Sequence, residues 1–223
     1  MAEKWNLGNI DGVVFDMDGV IFDSEKVGLA SWEKLGEKYG LVNVRENALK
    51  CIGRSTVDTM AILEEAYGDK VSIESLYKEA KEVFSEIISE GGLPLKPGAV
   101  ELLSFLKECG VKVGLASSTS YNGVIANLKG AGLLRYFEVI IGGDMIKHSK
   151  PQPEIYLLAC EKLGVRPQYT VAIEDSYNGI KAAHNAGMIP IMVPDLIAPT
   201  EEILSMVYKK VDSLNDVIEY FKS

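Results

Sequence analysis

Five short apolar runs are the feature that most limits the fold of this chain. None of them alternates apolar with polar residues, and segments with helical spacing lie between the later runs. Strands without alternation are buried on both faces, which is typical of a parallel sheet covered by helices. The runs are residues 13–15, 111–116, 139–141, 171–173 and 189–193, and the helical segments lie near 99–109, 122–131, 153–163 and 176–186. The pattern predicts an α/β fold with a doubly wound parallel sheet.

A long segment without proline separates the first run from the second. No proline occurs before Pro94, and the apolar residues of 25–91 recur at helical spacing without a strand-like run. We expect three or four amphipathic helices packed as a small bundle. The glycine- and proline-rich stretch 91–98 is typical of a linker that returns to the sheet. The prediction is an α/β core domain formed by residues 1–24 and 92–223, interrupted by a helical cap domain at 25–91.

Charge and cysteine content exclude several classes of function. The formal net charge is −9, which argues against a nucleic-acid partner and against binding to an acidic membrane surface. The three cysteines are widely spaced and form no CxxC pair, so neither a disulfide framework nor a structural zinc site is expected. No apolar run approaches the roughly 18 residues that span a bilayer. We therefore expect a cytoplasmic protein.

Polar side chains follow several of the predicted strands. They are Asp16 and Asp18 after the first run, Ser117 and Ser118 after the second, Lys150 after the third, and Glu174 and Asp175 after the fourth. Singly, each is also explained as a helix cap, a turn former or a solvated loop residue. Parallel strands end at one edge of the sheet, however, and several carboxylates there repel one another unless a cation lies among them. Oxygen ligands without His or Cys favour Mg²⁺, and a metal with a lysine and a hydroxyl suits a phosphoryl group.

The same residues resemble a known family. The segments Phe15-Asp16-Met17-Asp18-Gly19-Val20, Ala116-Ser117, Lys150-Pro151-x-Pro153 and Glu174-Asp175-Ser176-x-x-Gly179 are similar to the four motifs of the haloacid dehalogenase (HAD) superfamily, in the same order. A helical insert directly after the first motif resembles the subgroup that contains β-phosphoglucomutase and sugar-phosphate phosphatases. The resemblance implies a Rossmann-like core with a helical cap.

The resemblance also implies two catalytic residues. Asp16 would be the nucleophile that forms an aspartyl-phosphate. Asp18 would protonate the leaving alcohol as a general acid, and would then activate water as a general base. The implied substrate is a small phosphorylated metabolite.

The remaining implied roles concern the metal and the phosphate. Asp16, the backbone carbonyl of Asp18, and Asp175 would hold Mg²⁺, with Glu174 either a direct ligand or in the outer shell. Ser117 and Ser118 would bind phosphoryl oxygens. Lys150 would bridge the phosphate and the Asp16 carboxylate.

A phosphatase and a β-phosphoglucomutase share this chemistry and differ in the acceptor, which is water or a second sugar hydroxyl. The mutases of the family carry a histidine early in the first cap helix, and Gly28 stands at that place here. Cys51 stands where the mutases tend to have glycine, whereas Arg54 matches an arginine that grips the distal phosphate. We therefore expect a phosphatase of small sugar phosphates, with the mutase as the alternative.

Two further alternatives are classes of protein that do not hydrolyse a phosphate ester. A non-catalytic phosphosugar-binding module would not need the acid pair Asp16 and Asp18. A phospho-accepting receiver domain also uses an aspartate, Mg²⁺ and a lysine, but it has no helical insert after the first strand. Release of inorganic phosphate from a test ester separates an enzyme from both. We expect a monomer, because the cap comes from the same chain.

Overall fold

The computed structural model of the protein describes residues 6–52, 54, 56–89 and 91–222. Its strands form one sheet in the order β3-β2-β1-β4-β5-β6, and every neighbouring pair is parallel. They are β1 (Gly12–Phe15), β2 (Lys112–Ala116), β3 (Val139–Ile141), β4 (Thr170–Glu174), β5 (Ile189–Met192) and β6 (Lys209–Lys210). The chain crosses from one side of β1 to the other between β3 and β4. The predicted doubly wound parallel sheet is confirmed.

Four helices of the core follow the predicted segments closely. They are α5 (Ala99–Glu108), α6 (Tyr121–Gly130), α7 (Glu154–Leu163) and α8 (Tyr177–Asn185). The core also contains α9 (Glu201–Leu204) and α10 (Leu214–Lys222). Helix α7 packs on β2 and β3, and α5 packs on α10. An apolar cluster that includes Val14, Ala172 and Tyr156 joins the sheet to α7 and α8. This packing fixes the ends of the central strands, where the predicted site residues lie.

The insert forms its own apolar centre. Its described helices are α1 (Ser24–Tyr39), α2 (Val44–Cys51), α3 (Thr56–Tyr67) and α4 (Ile73–Ser89). Helix α1 packs along α4, and Leu35, Leu63 and Leu76 are buried between the helices. The buried Tyr67 donates its hydroxyl hydrogen to the carbonyl of Val42 at 3.0 Å. The sequence-based expectation of three or four packed helices agrees with this arrangement.

The chain divides into two compact units, residues 1–22 with 95–223 and residues 23–94. The boundaries differ by two or three residues from those predicted at 24/25 and 91/92. Phe22 and Leu95 form an isolated antiparallel bridge, which keeps both residues with the core. That the insert acts as a cap domain stays a prediction.

Two short elements near the C-terminus were not predicted. Strand β6 consists of Lys209 and Lys210, both exposed, and therefore lacks the apolar signal by which the other strands were recognised. Helix α9 has only one turn. Within the part of the chain that the structure describes, no helix has the length and apolar character that a bilayer crossing requires.

Candidate active site

The sheet register brings three strand ends to the same level. Phe15 of β1 pairs with Leu115 of β2 on one side and with Ile173 of β4 on the other. The next residue in each strand direction is Asp16, Ala116 and Glu174, respectively. Residues that are far apart in sequence therefore meet at the carboxyl edge of the central strands.

Lys150 is the centre of a buried charge network. Its ammonium donates to Asp16 Oδ1 at 2.5 Å, to Glu174 Oε1 at 2.6 Å and to the carbonyl of Ala116 at 3.2 Å. Only 7% of the Lys150 side chain is exposed. Burial alone would lower the pKa of Lys150, but the two carboxylates outweigh burial and hold that pKa above its usual range. Lys150 is thus held as a cation beside Asp16.

Glu174 is fully buried, and both of its oxygens accept hydrogen bonds. Oε1 accepts from Lys150 and from the hydroxyl of Tyr156 at 2.7 Å. Oε2 accepts from the backbone N–H of Asp175 and from the backbone N–H and hydroxyl of Ser176. Sequence reasoning missed Tyr156, because a tyrosine within an apolar helix pattern looks like any other core residue.

Two glycines make room for carboxylates. A Cβ atom on Gly19, whose φ is +79°, would lie 2.1 Å from Asp175 Oδ2. A Cβ atom on Gly179 would lie within 2.1 Å of the Glu174 carboxylate carbon and both of its oxygens. No side chain is tolerated at such distances, so the glycines of the first and fourth motifs permit the close approach of backbone and carboxylate.

The Asp18 carboxylate contacts the loop after β2. Thr119 donates its hydroxyl hydrogen to Asp18 Oδ2 at 2.9 Å, and the Ser117 hydroxyl lies 3.3 Å from the same oxygen. Ser117 is buried and also accepts the backbone N–H of Thr119 at 3.0 Å. The sequence singled out Ser117 and Ser118 in this loop but not Thr119, because a run of hydroxyl residues does not show which one faces the carboxylate.

The donor set fits Mg²⁺. Asp16, Glu174 and Asp175 are buried, and one oxygen of each lies within 4.8 Å of the others. With Asp18 nearby, several carboxylates face a single lysine, which leaves excess negative charge that a divalent cation would balance. Burial raises the pKa of Asp16 above its usual range, against the opposing effect of Lys150. A hard cation on carboxylate oxygens would favour the ionised form of Asp16.

The two other predicted binding residues are both exposed. Ser118 is exposed, and its backbone carbonyl lies against Gly143. Arg54 is exposed and belongs to the insert unit, where its backbone N–H donates to the carbonyl of Cys51. The roles of both residues stay predictions.

Comparison with known proteins identifies the family of the chain. Residues 13–193 match the haloacid dehalogenase-like hydrolase family. The phosphorylated carbohydrates phosphatase of Thermotoga maritima is 35% identical over 183 residues, which cover 80% of this chain and 82% of the relative.

Solved structures resemble the whole fold. The β-phosphoglucomutase of Clostridium difficile is 28% identical, with a TM-score of 0.75 over 96% of this chain and 97% of that one. CbbY of Rhodobacter sphaeroides in complex with phosphate is 26% identical, with a TM-score of 0.75 over 96% of this chain and 100% of that one. The match over most of the chain and the shared fold confirm the resemblance seen in the motifs. The chain is therefore an enzyme that belongs to the haloacid dehalogenase-like hydrolase family.

Proposed function

We propose that this enzyme is a Mg²⁺-dependent phosphatase of small sugar phosphates that works through an aspartyl-phosphate. The observation that carries the proposal is the 2.5 Å contact between Lys150 Nζ and Asp16 Oδ1 at the carboxyl edge of the sheet. It places a buried cation against the candidate nucleophile, where an incoming phosphate dianion would otherwise be repelled. The phosphorylated carbohydrates phosphatase relative supports the substrate class.

In the first step, an oxygen of Asp16 attacks the phosphorus of the ester. The bond between Asp16 and phosphorus forms while the ester P–O bond breaks, and Asp18 gives its proton to the departing alcohol oxygen. Ser117 and Lys150 donate hydrogen bonds to phosphoryl oxygens. Ser118 is a further candidate donor to the phosphate, from the exposed part of the same loop.

In the second step, water attacks the phosphorus of the aspartyl-phosphate. Asp18, now ionised, accepts a proton from that water, and the bond between phosphorus and Asp16 breaks. Inorganic phosphate is released, and both aspartates return to their initial states. The same pair of residues thus serves both half-reactions.

Asp16, Asp175 and the backbone carbonyl of Asp18 are the proposed Mg²⁺ ligands. When bound, the ion would screen the charge of the phosphoryl group and of the carboxylates around it. Of the two roles predicted for Glu174, we favour the outer one, because both of its oxygens already accept hydrogen bonds. Glu174 then holds Lys150 in place.

The proposed setting is a cytoplasmic monomer with a small metabolite as its partner. Arg54 is the proposed contact to the part of the substrate remote from the reacting phosphate, since a guanidinium suits anionic and hydroxylated groups. Arg54→Ala should raise KM for sugar phosphates while leaving KM for a small aryl phosphate within about twofold.

A phosphate-release screen over sugar phosphates tests the proposal. We expect Mg²⁺-dependent release from at least one hexose or pentose phosphate, and loss of release when the metal is removed by chelation. Absence of release from every ester, with or without Mg²⁺, would contradict the proposal and favour a binding module.

A parallel reaction separates the phosphatase from the mutase. It contains β-glucose 1-phosphate and a bisphosphate primer. Conversion to the 6-phosphate well above the rate of hydrolysis would replace the phosphatase by the mutase.

A further inference from the structure

We propose that Thr119 is a positioning residue that sets which oxygen of Asp18 carries the transferred proton. The inference rests on the proposed function, since it concerns the acid of that reaction. Its basis is the pair of hydroxyl contacts on Asp18 Oδ2, at 2.9 Å from Thr119 and 3.3 Å from Ser117.

The contacts assign the two oxygens of Asp18 different roles. A hydroxyl that donates to Oδ2 stabilises negative charge on that oxygen and disfavours a proton there. The proton that Asp18 gives to the leaving alcohol then lies on Oδ1. A carboxyl group free to rotate would present either oxygen, and part of the enzyme would hold the proton in the wrong place.

Thr119 is better suited to this role than Ser117. Each hydroxyl has one hydrogen to donate. In the proposed reaction, Ser117 turns its hydrogen to a phosphoryl oxygen, and its contact with Asp18 is already the longer of the two. The Ser117 oxygen still accepts the backbone N–H of Thr119 at 3.0 Å, which holds the Thr119 backbone in place. Thr119 therefore remains as the hydroxyl that orients Asp18 when substrate is bound.

The role of Thr119 makes a prediction about leaving groups. Breaking the P–O bond of a sugar phosphate needs a proton on the departing alcohol oxygen, in the first step described above. The nitrophenolate of p-nitrophenyl phosphate is a weak base and departs without one. Misplacing the proton of Asp18 should therefore slow the sugar phosphate far more than the aryl phosphate.

The test measures kcat/KM for the best sugar phosphate and for p-nitrophenyl phosphate in the same preparations. Thr119→Val keeps the shape and removes the hydroxyl. We expect it to lower the ratio of the two kcat/KM values by about tenfold or more. The ratio does not depend on the fraction of folded enzyme, so partial misfolding of the variant does not obscure the result. Thr119→Ser restores the hydroxyl and should keep the ratio within about threefold of wild type.

Two further variants serve as controls. Ser120→Ala removes an exposed hydroxyl from the same loop and should leave both rates unchanged. Ser117→Ala should lower both rates, because both substrates carry the phosphate that Ser117 contacts. Its effect on the ratio should be smaller than that of Thr119→Val, because Ser117 makes the longer contact with Asp18. An unchanged ratio in Thr119→Val, or a fall of the ratio in Ser117→Ala alone, would overturn the role of Thr119. If wild type is inactive on every sugar phosphate, the proposed function itself is wrong.

Discussion

Charged residues lie in very different surroundings in the two units of this molecule. At the carboxyl edge of the core sheet, Lys150 is 7% exposed and bridges Asp16 and Glu174, of which Glu174 has no exposed surface. In the insert, Lys38 bonds to Glu79 at 2.5 Å, but 59% of the Lys38 side chain is exposed. The distances are alike, and the difference is the surrounding water.

That difference determines how much each ion pair contributes to the stability of the fold. An exposed pair is screened by solvent and contributes little to stability. A buried pair lost by removing one partner leaves an uncompensated charge in a medium of low polarity. The insert obtains its stability from apolar contacts such as those of Leu35 and Leu76, whereas the core tolerates a costly set of charges because the proposed chemistry uses them.

The largest expected effect is on kcat, and it compares a carboxylate of the candidate site with a carboxylate of the insert. Asp16→Asn keeps the size of the side chain but removes the nucleophilic charge. We expect kcat for sugar-phosphate hydrolysis to fall about 10⁴-fold or more, while binding of inorganic phosphate, measured by calorimetry, survives. Glu79→Gln in the insert is the matched control and should keep wild-type kcat. Turnover retained by Asp16→Asn would contradict the nucleophile assignment.

A second comparison uses the two lysines. Lys150→Met removes the buried cation between Asp16 and Glu174 and should lower the free energy of unfolding by about 3 kcal/mol, as measured in urea without added metal. Lys38→Met should produce no measurable change, because water already screens that pair. Equal changes in the free energy of unfolding would contradict this account. They would show that the buried pair of Lys150 contributes no more to stability than the exposed pair of Lys38.

Two glycine substitutions sharpen the comparison at the level of packing. Gly179→Ala places a methyl group on the Glu174 carboxylate and should lower the free energy of unfolding by about 1–3 kcal/mol and reduce activity. Gly28→Ala in α1 meets nothing within 4 Å and should raise stability by up to about 1 kcal/mol, because alanine is the better helix former. Thermal and urea unfolding of both variants should show a loss of stability in Gly179→Ala and a gain in Gly28→Ala. A neutral Gly179→Ala would mean that Glu174 moves at no cost.

The smallest expected effect concerns an ion pair of the core that is partly exposed. Hydrogen bonds from Arg166 lower the pKa of Asp11 to about 2. Because this pKa is lower in the folded than in the unfolded state, the pair stabilises the fold above about pH 4, and its contribution disappears as the pH falls towards 2. Asp11→Asn should reduce stability at pH 7 by less than about 1 kcal/mol. Urea unfolding from pH 7 to 3 should show the two proteins converging, and a constant gap would contradict this account.

The sequence predicted the fold well wherever burial leaves a pattern. Strand β3 was predicted with the observed limits, because a strand covered on both faces must be apolar throughout. The meeting of Asp16, Lys150, Glu174 and Asp175 followed from a rule of parallel sheets and from the family motifs. Strand β6 was not predicted, because its two exposed lysines carry no such pattern.

The contacts of Thr119 and Tyr156 could not be predicted from the sequence. Whether Thr119 or Ser118 faces Asp18 depends on the backbone course of the loop after β2, which residue types alone do not determine. Tyr156 reaches Glu174 because α7 packs against the sheet at a particular rotation. Such contacts require the coordinates.

The central claim is that Asp16 carries the phosphoryl group during turnover. Rapid acid quenching of the enzyme during turnover of a sugar phosphate labelled with ³²P, followed by peptide mapping, tests it most directly. The account predicts label on the peptide that contains Asp16, formed with Mg²⁺ present and missing in Asp16→Asn. Phosphate release without any labelled protein, or label on a different residue, would contradict it.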